Sequence, residues 1–345
     1  MSFFTLIELG WQPFFQQQLS LSEWESCIPA RVSERHRSQL VVLSEQGKHI
    51  IPMCPELTDS TVGDWLLINR NQCFERLLDR STSFTRKAAG SKIELQQIAA
   101  NVDTVFIVCA LNNNFKLNRI ERYLTLTNEA GAEAVVVLTK ADLCDDPVIY
   151  IRQVQALDPM LMVESVNALS SETLQQLSPW IKPGKTVALL GSSGVGKSTL
   201  VNTLSGDAQQ DTQSAREDDD RGRHTTTSRS LHLLKGGGLL LDTPGMRELQ
   251  LSGCELGLEQ TFRDIESLAT SCRFSDCQHG CEPGCAVRAA LAAGSLPQRR
   301  WESYFKLLRE QALNAESLAQ RRAREKATVK YHLSVQKQAR QLKQE

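Results

Sequence analysis

Thr186-Val187-Ala188-Leu189-Leu190-Gly191-Ser192-Ser193-Gly194-Val195-Gly196-Lys197-Ser198-Thr199 decides the fold of this chain. An apolar run ends in a glycine, four residues intervene, and Gly196-Lys197-Ser198 follows. That is a complete Walker A pattern, a strand running through a glycine-rich loop into a helix. Glycines let successive backbone N–H groups wrap a β-phosphate, and the following helix aims its N-terminus at the same charge. Lys197 is expected to bridge the β- and γ-phosphates and Ser198 to ligate Mg²⁺. An ordinary strand–turn–helix connection needs none of these residues.

The motifs around the loop come in an unusual order. Asp242-Thr243-Pro244-Gly245 follows it and closes a second apolar strand, Leu239-Leu240-Leu241. There Asp242 would hold Mg²⁺ through water and the Gly245 N–H would meet the γ-phosphate. Thr139-Lys140-Ala141-Asp142, by contrast, precedes the phosphate loop. It reads as a guanine-recognition loop, which in most GTPases comes last, so the nucleotide-binding domain is expected to be circularly permuted. The Asp142 carboxylate accepts both N1–H and N2–H₂ of guanine, which adenine cannot offer, and Lys140 can lie along the base. Thr139 stands where an asparagine amide usually braces the phosphate loop, which predicts somewhat weaker binding. Ser165-Val166-Asn167-Ala168 follows the next strand, where a companion base-binding loop belongs, and Ser165 is its candidate.

Between the phosphate loop and Asp242 lies Arg221-Gly222-Arg223-His224-Thr225-Thr226-Thr227, after the acidic run Glu217-Asp218-Asp219-Asp220. A threonine here can cap the γ-phosphate and complete Mg²⁺ coordination when the loop orders, Thr226 before Thr225. Many GTPases orient the attacking water with a glutamine directly after the Asp-x-x-Gly glycine. Here that position is Met246. His224 is the nearest group able to orient water, and an incidental loop histidine is the competing reading. Slow intrinsic turnover that accelerates on a partner is the expected consequence.

Downstream, Cys272, Cys277, His279 and Cys285 fall within fourteen residues. Three thiolates and an imidazole form a tetrahedral structural Zn²⁺ set, and a short segment with little apolar content needs such a cross-link. Cys281 is spare, so Cys272, Cys277, Cys281 and Cys285 form a rival all-cysteine set.

The remaining sequence bounds the setting. The 345 residues have room for two or three domains, and 41% hydrophobic with 23% charged residues is ordinary for a globular chain. The net charge of −1 hides a basic end, with twelve Lys/Arg against five Asp/Glu from Arg299 to Glu345. Such a tail suits RNA or a solvated helix equally. The start has no basic leader followed by an apolar run, and no uncharged stretch approaches the ~20 residues a membrane span needs. Ten cysteines in a chain without a leader point to metal rather than disulfides, and so to a cytoplasmic protein.

Short β-prone runs at Leu40–Leu43, His49–Pro52 and Trp65–Ile68, separated by turn signals, suggest a small β-barrel over residues 1–98. Alternating strand and helix patterns from Asn101 onward predict an α/β domain with a mostly parallel sheet over 99–266. Its helix from Leu117 to Ala130 is expected to open on Asn118, with Glu121 completing a capping box. Residues 267–345 hold the cysteine cluster, helical segments and an exposed charged tail.

Together these residues closely resemble the RsgA (YjeQ) family of circularly permuted, ribosome small-subunit-dependent GTPases. The similarity covers nearly the whole chain. It rests on Ala99-Ala100-Asn101-Val102-Asp103, Gly191 to Thr199, His224 to Thr227, Asp242-Thr243-Pro244-Gly245-Met246-Arg247-Glu248, and the Cys272/Cys277/His279/Cys285 spacing around Glu282-Pro283-Gly284. The resemblance implies an N-terminal OB-fold, a permuted P-loop GTPase domain and a C-terminal, mostly helical zinc domain. It further implies binding to the 30S subunit and its 16S rRNA late in maturation, as a monomer, with GTP hydrolysis to GDP stimulated by the ribosome. His224 matches the family's proposed catalytic histidine, and the spacing favours His279 over Cys281 as ligand. Thr139 departs from the usual asparagine. The rival readings are a P-loop ATPase or kinase, which Asp142 opposes, and a nucleotide-gated RNA-binding module in which hydrolysis is incidental.

Overall fold

The computed structural model describes residues 4–87, 95–113, 115–206, 230–234, 236–242, 246 and 249–315. Two short helices, α1 (Pro13–Gln16) and α2 (Leu21–Ser26), lead into a barrel of β1 (Cys27–Arg35), β2 (Gln39–Ser44), β3 (Gly47–Pro52), β4 (Trp65–Asn69) and β5 (Phe74–Leu77). The pairing order is β3-β2-β1-β4-β5, antiparallel throughout. This is the strand order of an OB-fold, with no β3–β5 seam pairing among the described residues. Ala30, Val32, Leu40, Val42, Ile51, Leu57, Leu66 and Ile68 fill its interior.

The longest barrel strand, β1, gave no β signal in the sequence because Arg31, Glu34 and Arg35 break its apolar pattern. Arg31 is nevertheless fully buried and donates to the carbonyls of Leu9 (2.6 Å), Asn101 (2.8 Å) and Gly63 (3.3 Å). Burial pushes its guanidinium down to about 10, with Asp103 and Asp64 pulling the other way. One side chain thus ties the N-terminal turn, the barrel and the entry to the next sheet.

A hairpin of β6 (Ser83–Lys87) and β7 (Leu95–Ala100) precedes the α/β unit. That unit runs β8 (Thr104–Ala110), α3 (Leu117–Glu129), β9 (Glu133–Thr139), α4 (Pro147–Gln155), β10 (Met162–Ser165), α5 (Glu172–Leu177), β11 (Thr186–Leu190), α6 (Lys197–Ser205), β12 (Ser230–Leu233) and β13 (Leu239–Asp242). The sheet order is β10-β9-β8-β11-β13-β12, parallel except for the antiparallel edge strand β12. Every residue of β8 is buried, as a strand covered on both faces requires. Chain order runs outward from β8 to β10 and then returns to β11 on the other flank of β8. Ligands bind at such a reversal, outside the carboxyl ends of the strands. Glu34 of β1 pairs with Ser230 of β12, so barrel and α/β sheet are continuous.

Helices α7 (Glu255–Thr261), α8 (Arg263–Ala269), α9 (Ala286–Ala292) and α10 (Gln298–Ala315) follow. Of these, α7 and α10 dock on α3, and here the expected capping box is corrected. Helix α3 begins at Leu117 after Lys116, with no side-chain cap bond, and Glu121 faces inward with no exposed surface. Its carboxylate accepts both terminal nitrogens of Arg299 (2.9 and 3.0 Å) and Nη1 of Arg300 (2.7 Å). Arg300 also grips Asp264 twice, at 3.1 and 3.0 Å, and its guanidinium lies 4.4 Å from the Phe262 ring centre. Burial works against that cation, but Asp264 and Glu121 outweigh it and hold Arg300 above its ordinary value. Arg122 bonds the carbonyl of Leu249 (3.2 Å) and the carboxylate of Glu310. The basic tail, Arg321–Lys343, lies outside the described residues. Among the described residues no helix is long and apolar enough to cross a membrane.

Candidate functional site

Strand β11 delivers Gly191–Gly196 to the carboxyl edge of the sheet, and α6 starts directly at Lys197. Two glycines are imposed by geometry. Gly196 has φ +93°, in the left-handed region. A Cβ on Gly191 would meet the Val108 carbonyl of β8 at 2.5 Å. Lys197, 8% exposed, folds back to donate to the carbonyls of Gly191 (2.7 Å) and Ser192. Ser193 and Gly194 are exposed at the loop tip, Val195 is buried, and Ser198 and Thr199 are half-buried on the first turn of α6.

Thr139, at the end of β9, is fully buried, and its hydroxyl donates to the Val195 carbonyl at 2.6 Å. The expectation that losing asparagine removes a brace on the phosphate loop is therefore corrected. The shorter threonine hydroxyl makes the bond, and it lies in ordinary contact range, 3.6 Å, of where a Cβ on Gly196 would stand. Replacing Thr139 by valine keeps the shape and leaves the Val195 carbonyl without its donor. The KM for GTP should rise about tenfold, the ~1–1.5 kcal/mol of one buried hydrogen bond. Steady-state kinetics reads this directly, and an unchanged KM would remove Thr139 from the site.

Lys140 adopts φ +61° and turns the chain into a 3-10 turn, Ala141–Leu143, that leaves Asp142 exposed. The Ala141 N–H donates to the Val166 carbonyl at 3.3 Å, which brings the Ser165–Ala168 segment alongside. The Thr203 hydroxyl of α6 holds that segment at the Ala168 carbonyl (2.6 Å). Ser165, paired with Leu138, is half-buried at the end of β10. Asp242 closes β13, half-buried, on the far side of β11. Phosphate loop, Thr139 to Asp142, Ser165 and Asp242 thus share one edge, although the chain is permuted. His224, Thr225, Thr226 and Gly245 lie outside the described residues. Met246 is buried in the core with Leu249, Leu251 and Phe262, so it offers no polar atom at the position usually held by glutamine.

In the helical unit, the ligand atoms of Cys272, Cys277, His279 and Cys285 all lie within 4.8 Å of one another. Cys272 Sγ is 3.9 Å from Cys285 Sγ and 3.6 Å from His279 Nδ1, which is 3.4 Å from Cys285 Sγ. Cys281 is exposed and outside this set, so the all-cysteine alternative is not the one assembled. Desolvation pushes the Cys277 thiol up to about 11, and the Cys285 and Cys272 sulfurs add to it. Cys272, despite its own desolvation, is lowered by the Ala286 and Val287 N–H groups at the start of α9. A helix N-terminus favours thiolate in this way. Such a set could hold a metal ion. The His279 ring stands edge-on to Trp301 of α10, 5.7 Å between centres, which ties the cluster to the helix bearing Arg299 and Arg300.

Fold and site together define a circularly permuted P-loop GTPase with a helical appendage whose Cys/His cluster could hold a metal ion. A sequence model of the RsgA GTPase matches residues 77–252. The Small ribosomal subunit biogenesis GTPase RsgA 2 of Vibrio parahaemolyticus is 57% identical over 92% of this chain and 89% of its own. That of Vibrio vulnificus is 53% identical over 99% and 97%. The RsgA of Mesorhizobium japonicum is 46% identical over 90% and 91%. The chain belongs to the RsgA GTPase family. In fold it is similar to the crystal structure of YjeQ from Thermotoga maritima, with TM-score 0.62 and 24% identity over 82% of this chain and 99% of that one. It is likewise similar to YloQ, a circularly permuted GTPase, with TM-score 0.61 and 21% identity over 84% and 96%.

Proposed function

We propose that this GTPase acts in biogenesis of the small ribosomal subunit, binding the 30S particle through its 16S rRNA and leaving on GTP hydrolysis. The observation that carries the reading is the single edge that gathers phosphate loop, base-recognition loop and Asp242, in a chain whose relatives are named for that task. Three units divide the work: a barrel over 1–98, the nucleotide domain over 99–266 and a metal-stabilised unit over 267–345. The protein acts as a cytoplasmic monomer.

The roles follow the chemistry. The N–H groups from Gly191 to Lys197, with Thr199 behind them, cradle the β-phosphate, and the Lys197 ammonium leaves its carbonyl partners for the β- and γ-oxygens. Ser198 and Thr226 hydroxyls and, through water, Asp242 supply hard oxygen ligands of the kind Mg²⁺ takes. Bound there, Mg²⁺ neutralises charge on the β- and γ-phosphates. Asp142 selects guanine, with Lys140 and Ser165 flanking the base. The Gly245 N–H meets the γ-phosphate, and His224 orients the attacking water that Met246 cannot. Zn²⁺ is the ion that Cys272, Cys277, His279 and Cys285 fit, three sulfurs and one nitrogen with no open position.

The test is hydrolysis of GTP and ATP with and without purified 30S subunits. GTP-selective turnover strongly stimulated by 30S is expected, as when a partner completes a GTPase site. Equal turnover with and without subunits would detach the enzyme from the ribosome, and a preference for ATP would remove the role given to Asp142.

A further inference from the structure

A cation outside every motif above stands against the phosphate loop. Arg119, on the first turn of α3, donates from Nη1 to the Ser192 hydroxyl at 3.4 Å. The carbonyl of that same serine accepts from Lys197. Ser192 is therefore held by two cations, one at each of its oxygens.

Arg119 is not a wandering surface arginine. Two and three residues further on, Glu121 is clamped by Arg299 and Arg300, and Arg122 bonds Glu310 and the Leu249 carbonyl. The turn of α3 that carries Arg119 is thereby fixed to the helical unit and to the segment that follows Met246. At 3.4 Å the bond lies at the long end of the hydrogen-bond range, and the Ser192 hydroxyl that accepts it is what fixes the guanidinium charge against the loop. A site that receives a polyanionic phosphate chain gains from such preplaced charge, since nothing must reorganise when the substrate arrives.

We propose that Arg119 is a positioning residue for GTP hydrolysis, acting through the Ser192 hydroxyl to hold the phosphate loop and charge it for triphosphate binding. The proposal rests on the assignment of Gly191–Thr199 to the phosphates.

The test uses the full chain and steady-state GTP hydrolysis at low and high KCl, with Arg119→Met, Arg119→Lys, Ser192→Ala and Lys197→Ala. Arg119→Met should raise the KM for GTP about tenfold at low salt, with kcat within about threefold of wild type. The gap should narrow to about threefold in ~0.5 M KCl, because a half-buried charge at the loop is still partly screened by salt. Arg119→Lys keeps the charge and should recover most of the loss, which a packing role would not allow. Ser192→Ala should raise KM about threefold, and adding it to Arg119→Met should change little further, as two members of one contact do. A KM for Arg119→Met within twofold of wild type, or a lysine variant as poor as methionine at every salt concentration, overturns the proposal. Should Arg119→Met fail to fold, Ser192→Ala decides, and an unchanged KM overturns it equally. Lys197→Ala separates the two levels: if it binds GTP normally the phosphate-loop assignment itself is wrong, whereas a defective Lys197→Ala beside a normal Arg119→Met sinks only Arg119.

Discussion

Glu121→Ala should lower stability by about 3–5 kcal/mol, the loss expected when one member of a buried ion cluster is removed and its partners stay behind. The carboxylate has no exposed surface and receives three guanidinium hydrogen bonds, while Arg300 is 4% exposed. Without Glu121, Arg299 can turn to water. Arg300 cannot, and Asp264 alone must balance it. In a thermal melt the midpoint should fall by about 5–15 °C. A second variant distinguishes lost charge balance from lost packing. Glu121→Leu combined with Arg299→Leu and Arg300→Met should recover much of the deficit, since apolar groups of similar volume often replace a buried ion cluster without penalty. A triple variant less stable than Glu121→Ala would show that the cluster itself, rather than the imbalance, stabilises the joint between α3 and α10.

If the proposed zinc site is occupied, removing its metal should have the larger effect on its own unit. Cys285 is buried, belongs to the main apolar cluster and caps α9 by accepting the Arg288 N–H at 3.5 Å. The segment from Cys272 to Cys285 contains no regular element among the described residues, so the ligand set is its organiser. Structural zinc in small modules contributes on the order of 10 kcal/mol or more. Cys285→Ser, or treatment with a strong chelator, should therefore unfold residues 267–297 while leaving the β-sheet intact by circular dichroism. Trp301 reports the change, because the His279 ring rests on it, and its fluorescence should shift on chelation and return when zinc is restored. Cys281→Ser should keep one zinc per chain. If Cys281→Ser loses the metal and His279→Ala retains it, the ligand set named here is wrong.

Much of the nucleotide edge was legible because phosphate chemistry dictates residue types at fixed short spacings. Gly191 to Thr199, Thr139 to Asp142 and Asp242 could be named as candidates without knowledge of the fold, and the order in which they occur revealed the permutation. Short apolar runs also located β2, β3, β4 and most of the parallel strands. Charge was the misleading signal. Arg31 kept β1 from showing as an apolar run, because a buried arginine is recognisable only from the three carbonyls that receive it. Glu121 looked like half of a capping box, because its partners Arg299 and Arg300 lie 178 and 179 positions away. Thr139 looked like a loss for the same reason, since Val195 is 56 residues distant. Arg119 gave no sequence signal at all; it belongs to no motif and matters only through where α3 places it. Each miss concerns a polar group satisfied at long range, which local pattern cannot express.

The strand order has a consequence for how the polypeptide emerges during synthesis. Strands β8, β9 and β10 are translated before β11, yet β11 is the neighbour that covers the inner edge of β8. Roughly 75 residues separate the two, so at ~5–20 residues per second that edge waits about 4–15 seconds for its partner. An open, largely apolar strand edge is a template for unwanted pairing. Glu121 on α3 waits longer still for its partners, since Arg299 and Arg300 lie 178 and 179 residues further along the chain. Closure of this protein is therefore a late event in translation, and slowing the ribosome between codons 110 and 186 should increase aggregation more than slowing it elsewhere.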